Sequence, residues 1–179
     1  GLWRAAVPEV KDGNWSFEQL WVNGRRATRA RTPNKGYFNI ADAVGANVFP
    51  GLAKDMNFHA FSLAPEHYSM IKAVPREERD GVLITVTHAW AVGECRIMAL
   101  DDATQAVRIK GRSRYPFVEF EPDQRYWLEN FRAALDAPGE WFLDRAQGEL
   151  LYLPLPGEDM EKAGVIAPVA EKFLAIKGA

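Results

Sequence analysis

At 179 residues, with 47% hydrophobic and 26% charged side chains, the chain has an ordinary globular balance and enough length to bury a core without covalent staples. A net charge of −2 at pH 7 supplies no strong positive field, which argues against nucleic acid or a membrane as partner. No apolar run approaches the roughly 20 residues that span a bilayer, and the single Cys95 can close no internal disulfide and has no metal-ligand spacing around it.

Trp3 and Arg4 interrupt any hydrophobic leader near the N-terminus. The sequence therefore reads either as cytosolic or as one whose targeting segment lies elsewhere. From there, turn chemistry organises the chain. Residues 17–22 form a short apolar run that ends at Asn23-Gly24, a strong two-residue hairpin signal. The returning arm, 25–31, is basic, and Pro33-Asn34 stops it. On one continuous strand Arg25, Arg29 and Arg31 share parity and form a one-sided positive stripe. Residues 34–64 show no sustained period and read as a long irregular excursion.

Residues 65–72 predict a short helix. Residues 82–90 are the clearest strand, with Val82, Ile84, Val86, His88 and Trp90 on one face. A second strand follows over 95–100, a polar turn over 101–105 and a third strand over 106–110, in which Val107 and Ile109 point inward. This pattern is a meander. Leu128, Phe131 and Leu135 lie at helical spacing and predict a helix over 128–135, ended by Pro138-Gly139. Residues 141–144 and 149–153 form a hairpin in which Gly148 takes the left-handed conformation. There is no internal repeat. Many short strands with Gly/Pro punctuation predict an all-β fold with minor α: one β-rich domain over 1–179, an antiparallel sandwich or barrel-like sheet with one or two short helices.

Three blocks carry a family resemblance: FEQLWVNGRRATRARTPN (17–34), DGVLITVTHAWAVGECRIMALDDATQAVRIKG (80–111) and GEWFLDRAQGELLYLPLPGED (139–159). They resemble an accessory, inserted β-domain of right-handed parallel β-helix proteins related to glycoside hydrolases, the α-L-fucosidase- and xylanase-like polysaccharide-degrading enzymes. VIAPVAEKFLAIKG (165–178) resembles the point where such chains return to the helix coils. The resemblance implies a domain of an extracellular or periplasmic enzyme whose catalytic acids sit on coils outside this sequence. Its partners would be the rest of the parent β-helix and a polysaccharide or oligosaccharide. Residues after Gly164 are too few to stack the several coils a β-helix needs.

The residues themselves offer no catalytic set. Glycoside hydrolysis takes two carboxyls about 5–10 Å apart. Glu140 and Asp144, four positions apart on a strand, stand about 13 Å apart on one face. Asp144 has a simpler role starting the hairpin turn, and Glu158-Asp159 read as solvated. His59, His67 and His88 lack a second ligand at helical spacing, so no metal or other cofactor is expected. His88 reads as a hydrogen-bonded histidine at the edge of a core. No serine lies in an elbow motif, and phosphate-binding glycine loops are absent.

Sugar binding fits better, because pyranose C–H faces stack on aromatic rings while Arg, Asn and carboxylates grip hydroxyl groups. The candidate carbohydrate-binding residues are Arg29, Arg31, Asn34, His88, Trp90, Glu140 and Trp141. Each has a plainer alternative. Trp90 continues an apolar strand face, which predicts a core position; Trp21 and Trp141 suit either role. The arginines can instead guard a solvated edge strand or dock to the parent.

Overall fold

The strands of the computed structural model are short, because Gly, Pro and Asn punctuate the sequence at nearly every turn. It describes residues 1–52, 54–170, 172 and 174; part of the expected return segment at 165–178 lies outside the described residues. In chain order the strands are β1 (Trp3–Ala6), β2 (Trp21–Val22), β3 (Arg25–Arg26), β4 (Thr28–Arg29), β5 (Arg31–Thr32), β6 (Phe38–Asn39), β7 (Asp42–Ala43), β8 (Ala60–Ser62), β9 (Leu83–His88), β10 (Ala91–Asp101), β11 (Ala106–Ile109), β12 (Arg125–Glu129), β13 (Glu140–Asp144), β14 (Glu149–Tyr152) and β15 (Val165–Ile166). Three short helices interrupt them: α1 (Pro8–Lys11), α2 (Pro65–Ala73) and α3 (Arg76–Arg79). The class is all-β with minor helix, and all strand pairings but one are antiparallel among the described residues. The fold divides into two compact units, Gly1–Ala30 with Leu135–Ala179, and Arg31–Ala134.

The first unit holds a four-stranded sheet, β1-β14-β13-β4, and a three-stranded sheet, β15-β2-β3. Asn23 and Gly24 adopt positive φ of 51° and 74°, the twist that joins β2 to β3 in a two-residue hairpin. All five residues of β13 are buried, so this strand reads as a run instead of an alternation. Trp141, Leu143, Leu150 and Tyr152 enter one core with Phe17, Leu20 and Val22, so both sheets contribute to it. At the β13–β14 turn, Asp144 Oδ1 accepts from the Gln147 amide at 2.9 Å, the role the sequence predicts for it. Gly148 has φ +67°, and a Cβ there would meet the Lys11 Cβ at 2.9 Å, so the position has room for no side chain.

Glu158 departs from the expected solvated position. Its Oε2 accepts from the Tyr152 hydroxyl at 2.6 Å and from the Leu155 amide at 2.8 Å, while Arg25 donates to the Tyr152 oxygen at 2.9 Å. Burial, together with the Glu158 carboxylate, pushes the Tyr152 hydroxyl up to about 12. Burial works to raise the Glu158 carboxyl, but its hydrogen bonds and Arg25 outweigh that and hold it below the ordinary range. A polar latch thus ties the Pro/Gly loop after β14 to β3.

The second unit is one sheet in the order β5-β12-β9-β10-β11-β8-β7, with β6 also on β12. The meander β9-β10-β11 matches the sequence expectation, with a register break between Ile97 and Ala99 of β10. Helix α2 confirms the predicted helix at 65–72 and buries Tyr68 and Ile71.

Two readings are corrected. Residues 128–135 form no α-helix: Leu128 and Glu129 belong to the alternating strand β12, Asn130 turns out at φ +65°, and only a 3-10 turn, Arg132–Ala134, follows. The basic arm is not one strand. Buried Ala27 and Ala30 break it into β3, β4 and β5, which join three different sheets, so Arg25, Arg29 and Arg31 form no common stripe.

Candidate functional site

Strand β9 ends at His88, and Ala89-Trp90 forms a two-residue turn before Ala91, which pairs with His88. Trp90 therefore leaves the strand before the apolar face would claim it. Its side chain is 66% exposed, against the core position its parity suggested. Phe120 stands beside it, 60% exposed, with ring centroids 6.2 Å apart and planes tilted by 39°. Tyr115 meets Trp90 edge-on at 5.4 Å and 83°. Large exposed aromatic faces of this kind are costly unless something covers them.

The shelf has a polar foundation. His88 lies between Tyr115 at 5.5 Å and Phe117 at 5.9 Å. Gln124, only 3% exposed, accepts the Val118 amide on Oε1 at 3.0 Å. Its Nε2 is therefore the amide nitrogen and donates to His88 Nδ1 at 2.8 Å. The Gln124 carbonyl also accepts the Ile40 amide at 2.8 Å. Val118 holds φ +65°, a strained setting for a β-branched residue, so the latch fixes a loop conformation the residue does not prefer. Burial lowers the His88 pKa, partly countered by the Glu121 carboxylate. A neutral ring is what the hydrogen bond requires. His88, Trp90, Tyr115, Phe120, Glu121 and Gln124 together line a hollow of about 10 Å³, room for about one water-sized group.

The other sequence candidates lie elsewhere. Trp141 is 1% exposed, stacked on Phe17 at 5.6 Å, with the Arg29 guanidinium 6.0 Å from its ring centre. Glu140 is 3% exposed, and its Oε2 accepts the Asp136 and Ala137 amides. Neither presents a surface to a ligand. Arg29 Nη2 donates to the Glu18 carbonyl at 2.7 Å. Arg31 covers Trp127 at 4.9 Å and donates to the Pro33 and Gly36 carbonyls. Asn34 is exposed in the bend between β5 and β6. Of the seven, His88 and Trp90 come together at an open surface, whereas Arg29 meets Trp141 where the indole is buried. Trp21, half-buried, lines a wider groove of about 590 Å³ with Phe17, Glu18 and Val169, but Phe17 is buried in the core, whereas both Trp90 and Phe120 of the shelf are open.

Sequence reasoning passed over Tyr115, Phe120, Glu121 and Gln124. The signal was present in RYPFVEFEPDQ (114–124), an aromatic- and proline-rich segment between two strands. No group of three or more His, Cys, Asp or Glu among the described residues is arranged to hold a metal ion.

The sequence profile of the GH141 insertion domain matches residues 1–155. The chain belongs to the GH141 insertion domain family. A solved structure of a glycoside hydrolase superposes on this insertion domain with a TM-score of 0.71 at 24% identity, covering 99% of this chain. That likeness carries the fold alone, and this insertion domain spans 31% of that protein's length. No curated protein sequence matches it.

Proposed function

We propose that this GH141 insertion domain is a non-catalytic accessory module of an extracellular or periplasmic glycoside hydrolase built on a right-handed parallel β-helix, and that it offers the Trp90 shelf to carbohydrate as a wall of the substrate cleft. The exposed pair Trp90 and Phe120 carries this reading, because two open aromatic faces beside a carboxylate and an imidazole match the amphipathic surface of a sugar. The non-catalytic part is supported by the use already made of Glu140 and Asp144. Each caps backbone amides of its own turn, which leaves no acid pair across a cleft there.

Affinity electrophoresis of the 179-residue chain through gels containing xylan, galactan or polygalacturonate tests it. Retardation in at least one gel, lost in the Trp90→Ala/Phe120→Ala double variant, is the expected result. Equal mobility of both proteins in every gel would remove the glycan contact. Release of reducing ends by the chain itself would remove the accessory role.

A second reading is a structural module that docks to the rest of its parent. Ile166 and Val169, 62% and 81% exposed, favour it, since they give the first unit an apolar surface in want of cover. A freestanding carbohydrate-binding module is separated from both by a measurement on the parent enzyme: deleting the domain would then lower binding to polysaccharide without changing turnover of small soluble substrates.

A further inference from the structure

The shelf is a corner, and its geometry limits what can rest there. A flat polysaccharide surface needs coplanar rings, whereas Phe120 is tilted by 39° to Trp90 and Tyr115 stands at 83° to it. Rings set this way hold one sugar ring on Trp90 and enclose its flanks. The hollow beneath, with space for about one water-sized group, fits a single hydroxyl.

His88 lines that hollow and carries a ring N–H. Its Nδ1 accepts from Gln124, so the neutral ring carries its proton on Nε2. Among the described residues Nε2 has no hydrogen-bond partner, and it is not sealed from solvent. Residue 93, beside that nitrogen, is glycine. A Cβ at Gly93 would sit 3.6 Å from His88 Nε2, at ordinary contact distance, and would shield the ring nitrogen without forcing the backbone. Gly93 has no positive φ, so its missing side chain serves space and not conformation. Glu121, on the same hollow, supplies an acceptor for a neighbouring hydroxyl.

We infer that this corner is an end-reading subsite: it seats one terminal pyranose unit on Trp90, with a ring hydroxyl lodged beside Gly93 and accepting a hydrogen bond from His88 Nε2–H. The inference rests on the glycan reading above and adds the class of ligand, a chain end or free monosaccharide in place of an internal run or a crystalline surface. Gln124 is a positioning residue here, since it fixes the tautomer that puts the proton on Nε2.

Amide and indole N–H NMR of the 179-residue chain tests this. The probes are D-xylose, D-galactose and L-fucose, each free and as the terminal unit of an oligosaccharide, with microcrystalline cellulose as the flat-surface control. The expected result is a saturable shift at the Trp90 indole with a free monosaccharide, an affinity that does not rise with chain length, and no adsorption to cellulose. Gly93→Ala should weaken that binding by about tenfold, the loss of one hydrogen bond, with the thermal midpoint unchanged. His88→Gln, which keeps a side-chain donor but loses the ring, should weaken it as well. Affinity that grows with oligosaccharide length and ignores Gly93→Ala overturns the end-reading inference and leaves the glycan reading standing. The absence of any shift at Trp90 with every sugar overturns both.

Discussion

Two tryptophans that the sequence offers as sugar-binding candidates meet opposite fates. Trp141 sits mid-strand in the first unit, in a strand buried on both sides, and its indole fills the core between two sheets. Trp90 sits in the second unit, where its strand ends two positions earlier and hands it to a turn. The difference is one of place in the hairpin, not of residue type or of local hydrophobicity. The segment around Trp141, the most recognisable in the chain, builds the scaffold, whereas an open aromatic surface arises at a turn.

Substitutions sharpen this contrast. Trp141→Ala should destabilise the first unit by about 3–5 kcal/mol, because a buried indole leaves a cavity the sheets cannot close. A loss under about 1 kcal/mol by urea denaturation would show that the core reading is wrong. Next in size is Gln124→Leu, which strips the Val118 amide and the His88 ring of a buried partner. The expected cost is about 1–3 kcal/mol, accompanied by faster hydrogen exchange at Val118. An unchanged exchange rate would mean that the latch does not hold the loop.

A pH effect comes third. Burial lowers the pKa of both His67 and His88, with Glu66 and Glu121 respectively pulling the other way. The folded state then binds fewer protons than the unfolded state, whose histidines titrate near 6.5. Stability from this source is complete above that value and falls as pH drops through the folded pKa. Urea midpoints should therefore be lower at pH 5 than at pH 7.5, and His88→Asn should flatten the slope. A midpoint that rises on acidification would contradict the buried neutral rings. The smallest effect belongs to Trp90→Ala, with a change in stability below about 0.5 kcal/mol. A large loss there would make Trp90 a core residue after all and erase the contrast.

Much of the scaffold was legible because its signals are local. Asn23-Gly24 dictates its hairpin, Gly148 its left-handed turn, and the alternation over 82–88 its strand. The helix misread at 128–135 shows the limit of periodicity: Leu128 and Phe131 are three apart by accident, one within strand β12 and the other following the Asn130 turn. The basic arm failed for a different reason. Parity extends only as far as a strand does, and two buried alanines cut it into pieces of two residues each. Glu158 was misplaced because Arg25 is remote in sequence and only the fold brings it to the Tyr152–Glu158 pair. The shelf was half visible. His88 and Trp90 were named from the strand, but Tyr115, Phe120 and Gln124 come from a loop without a period, and nothing short of the fold joins it to the β9–β10 turn.

Strands β4 and β13 run side by side and in the same direction, Thr28 beside Glu140, and the whole of Arg31–Ala134 is threaded between them. Strand β1 likewise waits for β14. A ribosome delivers Gly1–Ala30 first, yet those two strands have nothing to pair with until the stretch from Glu140 to Tyr152 has emerged. By then every strand of the β5–β12 sheet is already available, and its β9-β10-β11 meander pairs strands that follow one another in the chain, which form sooner than distant pairings. Within this domain, the stretch made before the rest is thus the one that settles last.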